Sequence, residues 1–383
     1  MPLPIIKRDG GGGRSKQAGI MAIQQDLNIM QLEDAVNALP HEEHARFGRI
    51  FEVSSTTGGL VPPDAMVPWI EKQFGSVEAT RQQKIVKVTN VVTLEGVLFN
   101  WLRSSRPIWR QEVDLDAELE RTNHDALADP FNGTPEDLFG RVRGRFCVTA
   151  SNIAKFDGFH GLVVFNERHP LRFTREMIHD YIDTGGRWGD LAHASDPEAK
   201  YYMFLWNCLW RAGASLLHGH AQVIMGRGMH YAAVEYLRRC AAVYQAHHRV
   251  NYFQDLFLAH ESVGCAFEKD GTRVIANLAP KKENEIILLA PFVNDSLKDR
   301  IYESLECYRD RLGVTSFNLV IYTPPWAGTP ENWEGFPVVV RIVDRGDPST
   351  RTVDIGAMEL YAQSVVSSDP FQLARTLNEH MGA

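Results

Sequence analysis

The stretch RAGASLLHGHAQVIM, Arg211–Met225, sets a small-residue turn at Gly213-Ala214-Ser215 directly before an apolar run that carries His218, His220 and Gln222. The run reads as a β-strand from His218 to Met225. On a strand, residues two apart share a face, so these three polar side chains line up while Ala221 and Val223 turn toward a core. A chain with 14 histidines holds about 0.5 His-x-His pairs by chance, so the pair could be two ordinary strand histidines. The third polar residue on the same face, directly after a turn, is what marks a site.

Working outward from this stretch, the pattern around it occurs twice. SNIAKFDGFHGLVVFNERHP (Ser151–Pro170), then a helical period over about Thr174–Ala194, then a strand, parallels ANLAPKKENEIILLAPFVND (Ala276–Asp295), then a helix, then a strand. In the first copy RGRFCVTAS and HGLVVFN read as strands, Lys200–Trp210 reads as a second helix, and the histidine strand follows. In the second copy RVIANLAP, NEIILLAP, SFNLVIYT and FPVVVRIVD read as strands, around the helix DSLKDRIYESLECYRDRL with Asp295 or Ser296 as its cap. Two copies of one α+β unit are expected, and only the first carries the histidines. Upstream, QQKIVKVTNVVTLEGVLFNWLR (Gln82–Arg103) reads as two strands about a Leu-Glu-Gly turn. Met21 to about Gly75 reads as helical and polar-rich, broken by the turn cluster SSTTGGLVPPD. The expected organisation is a flexible leader over 1–20, a helical appendage over 21–80, a first unit with the active site over 81–250, and a second unit with C-terminal helices over 251–383.

Composition narrows the function. At 383 residues and 44% hydrophobic content the chain can bury a large core, and a formal charge of −8 with scattered Lys and Arg offers no basic field for nucleic acid. Five cysteines, Cys147, Cys208, Cys240, Cys265 and Cys307, lie far apart with no C-x-x-C pair. They encode neither a disulfide framework nor a thiolate zinc site, and a cytoplasmic setting is expected. No apolar run approaches the ~20 residues of a membrane span. His41 and His44 in HEEH, and His247 and His248 in HHRV, read as solvated helix faces. The Pro-, Gly- and Trp-rich TPPWAGTPENWEGFP (Thr323–Pro337) reads as a structured loop near the site.

The segment NCLWRAGASLLHGHAQVI resembles the active-site segment of the galactose-1-phosphate uridylyltransferase branch of the histidine-triad superfamily. That branch carries N, then G-x-S, then H-x-H-x-Q, and Asn207, Gly213, Ser215, His218, His220 and Gln222 fall in register. The similarity extends over most of the chain after about Thr89. NVVTLEGVLFNWLRSSRP is similar to the family's opening strand pair, which ends in R-x-x-R-P at Arg103 and Arg106, and Asn152 in SNIAKF matches an Asn of the nucleotide pocket. The resemblance implies an α+β fold of tandem histidine-triad-like units, mostly antiparallel sheets with helices, joined as a pseudo-dimer. It also implies a homodimer.

By the same resemblance His220 is the nucleophile, with His218, Gln222 and Ser215 as its catalytic partners. A neutral imidazole is competent at pH 7 when its other ring nitrogen is held by a hydrogen bond. Gln222 and Ser215 would donate to the non-bridging phosphate oxygens. Arg106 would meet the acceptor's phosphate and Asn152 and Asn207 the nucleotide, with Arg103, Gly213 and Glu359 also expected to bind substrate. The hydrolases of the superfamily carry a third His in place of the Gln, so a transferase is implied.

The chain departs from the family at two places. The C-P-x-C cysteines of zinc-bearing members are replaced by Asp129 and Asn132 in DPFNGTPED, while the histidine positions correspond to His169 and His218. Asp129, His169 and His218 are then the ligands if zinc binds, but Asn is a poor fourth and no cofactor is required. The hexose-contacting segment G-x-E-x-x-x-E-x-Q is approximated by GAMELYAQSVV, Gly356–Val366, with Glu359 shifted by one and Gln363 near the Gln position. The expected activity is nucleotidyl transfer between a nucleoside diphosphosugar and a sugar 1-phosphate. Phosphorolysis of dinucleoside polyphosphates, and a nucleotide-binding protein without catalysis, stand as the alternatives.

Overall fold

The computed structural model describes residues 27–107, 110–111, 113–122 and 124–383, so the leader assigned to 1–20 lies outside it. Among the described residues no helix is long and apolar enough to cross a membrane. Val86, Val88, Val97 and Phe99 alternate with exposed or half-buried neighbours, the period of a strand with one buried face. They belong to β2 (Gln82–Asn90) and β3 (Gly96–Phe99), the two strands expected there. β2 also pairs along its whole length with β1 (Phe51–Gly59), from Phe51 opposite Asn90 to Gly59 opposite Gln82. The appendage is therefore not simply helical. Its FEVSSTTGG run, whose Ser, Thr and Gly suggest a turn, is an edge strand held by a nine-residue ladder. β2 and β3 accordingly sit in this small sheet with the appendage, and not in the sheet of the first repeat.

The second sheet holds β4 (Cys147–Ser151), β5 (Phe159–Phe165), β6 (Ala199–Asn207), β7 (His220–Arg227), β8 (Ala266–Lys269), β9 (Thr272–Ala276), β10 (Ile286–Ala290), β11 (Phe317–Tyr322) and β12 (Val338–Asp344). Their order across the sheet is β4-β5-β7-β6-β11-β12-β10-β9-β8, antiparallel throughout. The halves β4-β5-β7-β6 and β9-β10-β12-β11 have one topology, and they meet at a seam where β6 pairs β11, Asn207 opposite Asn318 and Met203 opposite Tyr322. Two α+β units joined into one continuous sheet are the tandem arrangement expected from the sequence. A short β13 (Ser364–Val366) returns to the small sheet, parallel to β3.

Two expectations are corrected here. Lys200–Asn207 is strand β6 rather than the start of a helix over Lys200–Trp210, because KYYMFLWN lies in the middle of the sheet and is buried on both faces. A strand of that kind reads as a continuous apolar run, which periodicity alone cannot tell from a buried helix. The histidine strand also begins at His220, so His218 precedes it.

Each repeat lays one long helix on the same side of the sheet, Arg175–Ser195 in the first and Asp295–Asp310 in the second. The first is capped by Thr174 and the second by Asn294, whose side chain accepts from Leu297 N in place of the expected Asp295 or Ser296. The helices lie against each other through Arg175 to Asp299 at 2.6 Å, His179 to Asp299 at 2.9 Å and Lys298 to Asp183 at 2.9 Å. Beneath them one core gathers Val163, Phe165, Trp188, Phe204, Ala221, Val223, Leu288, Leu305 and Val340. The other side of the sheet presents Met203, Ile224, Ile287, Leu289 and Val339 to a second core, with the small sheet and the helix Tyr252–Ser262. His220 and Gln222 alternate with Ala221 and Val223, so they point to this second side, away from the repeat helices.

Candidate active site

Gly219 explains how the loop before β7 reaches its place. Its backbone is bonded on both sides, N to Arg168 O at 2.8 Å and O to Phe165 N at 3.0 Å. A Cβ there would sit 2.7 Å from the Phe165 ring and 3.0 Å from Glu167 O, so only glycine permits the approach. His218 is thereby buried, with its Nε2 donating to Phe165 O at 2.8 Å. His220, the first residue of the strand, donates from Nδ1 to His218 O at 2.8 Å. This bond places the ring proton on Nδ1 and leaves a lone pair on Nε2, which takes no hydrogen bond from any described residue. Burial pushes the pKa of both histidines below the ordinary value, keeping the imidazoles neutral.

Gln222 is held from β5, one strand away. Its Oε1 lies 2.8 Å from Nε2 of His160, a fully buried histidine that the sequence reading did not single out. Asn152 Nδ2 is 3.2 Å from the same nitrogen, which places the predicted nucleotide-pocket Asn in this group. The alternation His160, Leu162, Val164 on β5 is the signal that could have found His160, since it puts that residue on the face of Gln222. Beside the group, on the same face, Val148, Ala150 and Val164 form a small apolar patch under Leu127, with Leu162 and Leu216 packed against it.

Gly213 ends the short turn Trp210–Ala212 with φ of +95°, a conformation that favours glycine. Ser215 is exposed on the same loop. Arg211 anchors that loop to the second repeat through the carbonyls of Arg345 at 3.3 Å and Thr352 at 2.5 Å. Asn207, on the strand beside His220, accepts from Asn318 Nδ2 at 2.7 Å across the seam, and Arg345 in turn donates to Asn318.

Arg103, Arg106 and Glu359 come together elsewhere. With Arg110, Arg211, Lys282 and Arg345 they line a cavity of about 550 Å³. Glu359 also caps its own short helix, accepting from Gly356 N at 2.8 Å. A neighbouring cavity of about 660 Å³ over the seam contains Asn207, Asn318, Arg341, Arg345, Glu359 and Gln363. Lys282, Arg345 and Glu359 border both. The predicted residues thus form two groups, the histidine group on β5 and β7 and the arginine group at the cavities, connected through Asn207, Asn318 and Arg345.

The metal candidates do not converge. Asp129 caps the turn Pro130–Gly133 and takes Asn132 Nδ2 at 2.8 Å, His169 accepts from Leu171 N at 3.2 Å, and His218 faces Asp125 with Nδ1 to Oδ1 at 3.9 Å. Among the described residues no group of three or more His, Cys, Asp or Glu side chains gathers at metal-binding distance. The residues present do not fit the family's zinc site, because its thiolates are gone and Asp129 is engaged locally.

No family profile and no curated protein sequence matches the chain. Solved structures do. An ADP-glucose phosphorylase from Arabidopsis thaliana, with ADP-glucose bound, is similar with a TM-score of 0.58 at 16% identity, covering 75% of this chain and 96% of that one. A GalT-like protein from Arabidopsis thaliana follows with a TM-score of 0.56 at 16% identity, covering 76% and 97%. A uridylyltransferase gives a TM-score of 0.53 at 14% identity over 65% and 88%. The chain therefore has the α+β fold of the galactose-1-phosphate uridylyltransferase family, as the resemblance of its histidine segment implies.

Proposed function

We propose that this protein is a nucleotidyltransferase that works through a nucleotidyl-histidine at His220. The observation that carries the reading is the bond from His220 Nδ1 to His218 O, which points a neutral, unpaired Nε2 along the face shared with Gln222. In the first half-reaction Nε2 attacks the α-phosphorus of a nucleoside diphosphosugar. The N–P bond forms, the bridging P–O bond breaks, and sugar 1-phosphate leaves with the electron pair. The Nδ1 proton stays on the ring, and the positive charge is stabilised by the His218 carbonyl. In the second half-reaction a phosphate oxygen of the acceptor attacks the same phosphorus and the N–P bond breaks, restoring neutral His220. Gln222 donates to the non-bridging oxygens in both steps, and the exposed Ser215 supplies a second donor.

The surroundings support this assignment. The half-buried Leu162 and Leu216, packed on the buried Val148, Ala150, Val164 and Leu127, offer apolar surface that suits a nucleobase, with Asn152 bonded to the neighbouring His160. Arg103 and Arg106 suit an anionic acceptor, a sugar phosphate or inorganic phosphate, while Lys282 and Arg345 beside them pair with Asp354. The scheme uses no cofactor and routes no step through a metal. Incubation with α-³²P-labelled UDP-glucose, ADP-glucose and diadenosine tetraphosphate, followed by a denaturing gel, tests it. Acid-labile, alkali-stable label that disappears in His220→Asn is expected, and the substrate that labels identifies the donor. Label retained in His220→Asn, or no label from any of the three, counts against the reading.

A further inference from the structure

We propose that His160 is a positioning residue that fixes which end of the Gln222 carboxamide faces the reacting phosphate. The inference deepens the nucleotidyl-transfer reading above and rests on it for its kinetic arm.

The chain from Ser151 to His160 folds back around the His160 ring. Phe156 stacks on it at 4.3 Å between centroids and 26° between planes, and Phe156 N–H donates to Nδ1 at 2.9 Å. Lys155 Nζ reaches the His160 carbonyl at 3.1 Å and Ser151 Oγ at 2.6 Å, tying down the same turn. A ring that accepts at Nδ1 and is neutral must carry its proton on Nε2. That N–H faces Gln222 Oε1 at 2.8 Å and takes no bond from Asn152 Nδ2, a donor 3.2 Å from the same nitrogen, and of the two ends of the Gln222 carboxamide only the oxygen can accept it. Oε1 is therefore held against β5, and the NH2 group is turned the other way, where it can donate to a phosphate oxygen. A Gln without this partner could present its oxygen to the phosphate instead, and that contact is repulsive.

The second repeat carries the same device with different residues. In the ladders Leu162 lies opposite Gln222 and Ile287 opposite Arg341, while Asn152 N bonds His160 O and Asn277 N bonds Glu285 O. His160 and Gln222 thus correspond to Glu285 and Arg341. There Glu285 accepts from Arg341 Nε at 2.7 Å and from Asn277 Nδ2 at 2.8 Å. In both repeats a buried side chain at the start of the second strand grips the functional position of the strand beside it. The first repeat grips an amide by its oxygen, and the second grips a cation.

The test is a double-mutant cycle on single-turnover labelling, using α-³²P ADP-glucose and UDP-glucose and comparing wild type, His160→Ala, Gln222→Ala and the double variant. His160→Ala is expected to slow labelling at saturation by about 10- to 100-fold, with the half-saturating concentration changed less than about threefold. In the Gln222→Ala background the same change should slow labelling by less than about threefold, because nothing remains to be oriented. His160→Gln, which keeps an N–H donor near the Nε2 position, should recover part of the rate. An equal loss in both backgrounds overturns the proposal. A second measurement needs neither a variant nor a substrate: long-range ¹H–¹⁵N spectra of histidine-labelled wild type should show His160 as the Nε2–H tautomer, and the Nδ1–H tautomer overturns the proposal even if labelling succeeds. Absence of any label in wild type instead removes the nucleotidyl-transfer reading and leaves the tautomer result to decide the positioning role.

Discussion

Arg341→Gln, at the position in the second repeat that corresponds to Gln222, should lower the melting temperature by about 4–6 °C. Arg341 pairs with Glu285 at 2.7 Å and with Glu95 at 2.7 Å. Glu285 is fully buried, and its carboxylate also accepts from Asn277 and from Lys281 N at 2.8 Å, so it cannot turn to solvent when its cation is removed. Breaking a buried pair from one side costs about 3–5 kcal/mol, because the remaining charge is left uncompensated. With an unfolding entropy of about 2.1 cal/mol/K per residue, a chain of 383 residues changes by roughly 0.8 kcal/mol per degree, which gives the stated shift if the two repeats unfold together. Adding Glu285→His to Arg341→Gln rebuilds the Asn-His-Gln group of the first repeat. Glu95 keeps Lys281, 3.1 Å away. The double variant should regain at least half of the loss. Differential scanning calorimetry at one scan rate reads both. A shift under about 1 °C for Arg341→Gln, or a further drop in the double variant, would refute the correspondence of the two groups and the energetics drawn from it.

Other consequences are tested separately. Gln222→Ala should still form the adduct but about 10²- to 10³-fold more slowly, the usual cost of one lost transition-state donor, as read by single-turnover labelling. The labelling rate should stay flat through neutral pH and fall only in acid. Burial lowers the pKa of His220, and protonation of Nε2 with falling pH removes the lone pair, so a pH profile with its acid limb above about 6.5 would contradict the assignment. Prolonged dialysis against a chelator should leave the melting temperature unchanged, since Asp129, His169 and His218 do not form one ligand set, and loss of structure on chelation would show a metal site. Gly219→Ala should disturb the approach to Phe165 and cut adduct formation, whereas normal labelling in that variant would show that the loop tolerates the shift. Sedimentation equilibrium is expected to give the homodimer that the family resemblance implies, and a monomer would overturn that expectation.

Much of the site was legible because its signals are local. The spacing of His220 and Gln222 needs only the two-residue period of a strand, and Gly213 ends its turn at a positive φ, whereas His218 stands before the strand and Gly219 is required by the approach of Phe165 from the strand beside it. The repeat was legible too, because both copies keep the same order of strand, strand, helix and strand. Strand β1 of the appendage and strand β6 were not. Phe51–Gly59 becomes a strand only because β2 offers it nine partners, and Lys200–Asn207 becomes one only because it lies at the centre of a sheet covered on both faces. His160 stands 62 residues from Gln222, and Arg345 joins Asn207 only through Asn318 across the seam. By itself, then, the sequence determined the doubled α+β unit and the histidine face of one strand. The tertiary structure decided which side chains bond that face, that Arg103, Arg106 and Glu359 share a cavity, and that Asp129, His169 and His218 form no common ligand set. The physical reason is one of range: strand periodicity and glycine geometry act between residues a few positions apart, whereas hydrogen-bond partners and cavities are set by strand order, which brings together residues that no local pattern connects.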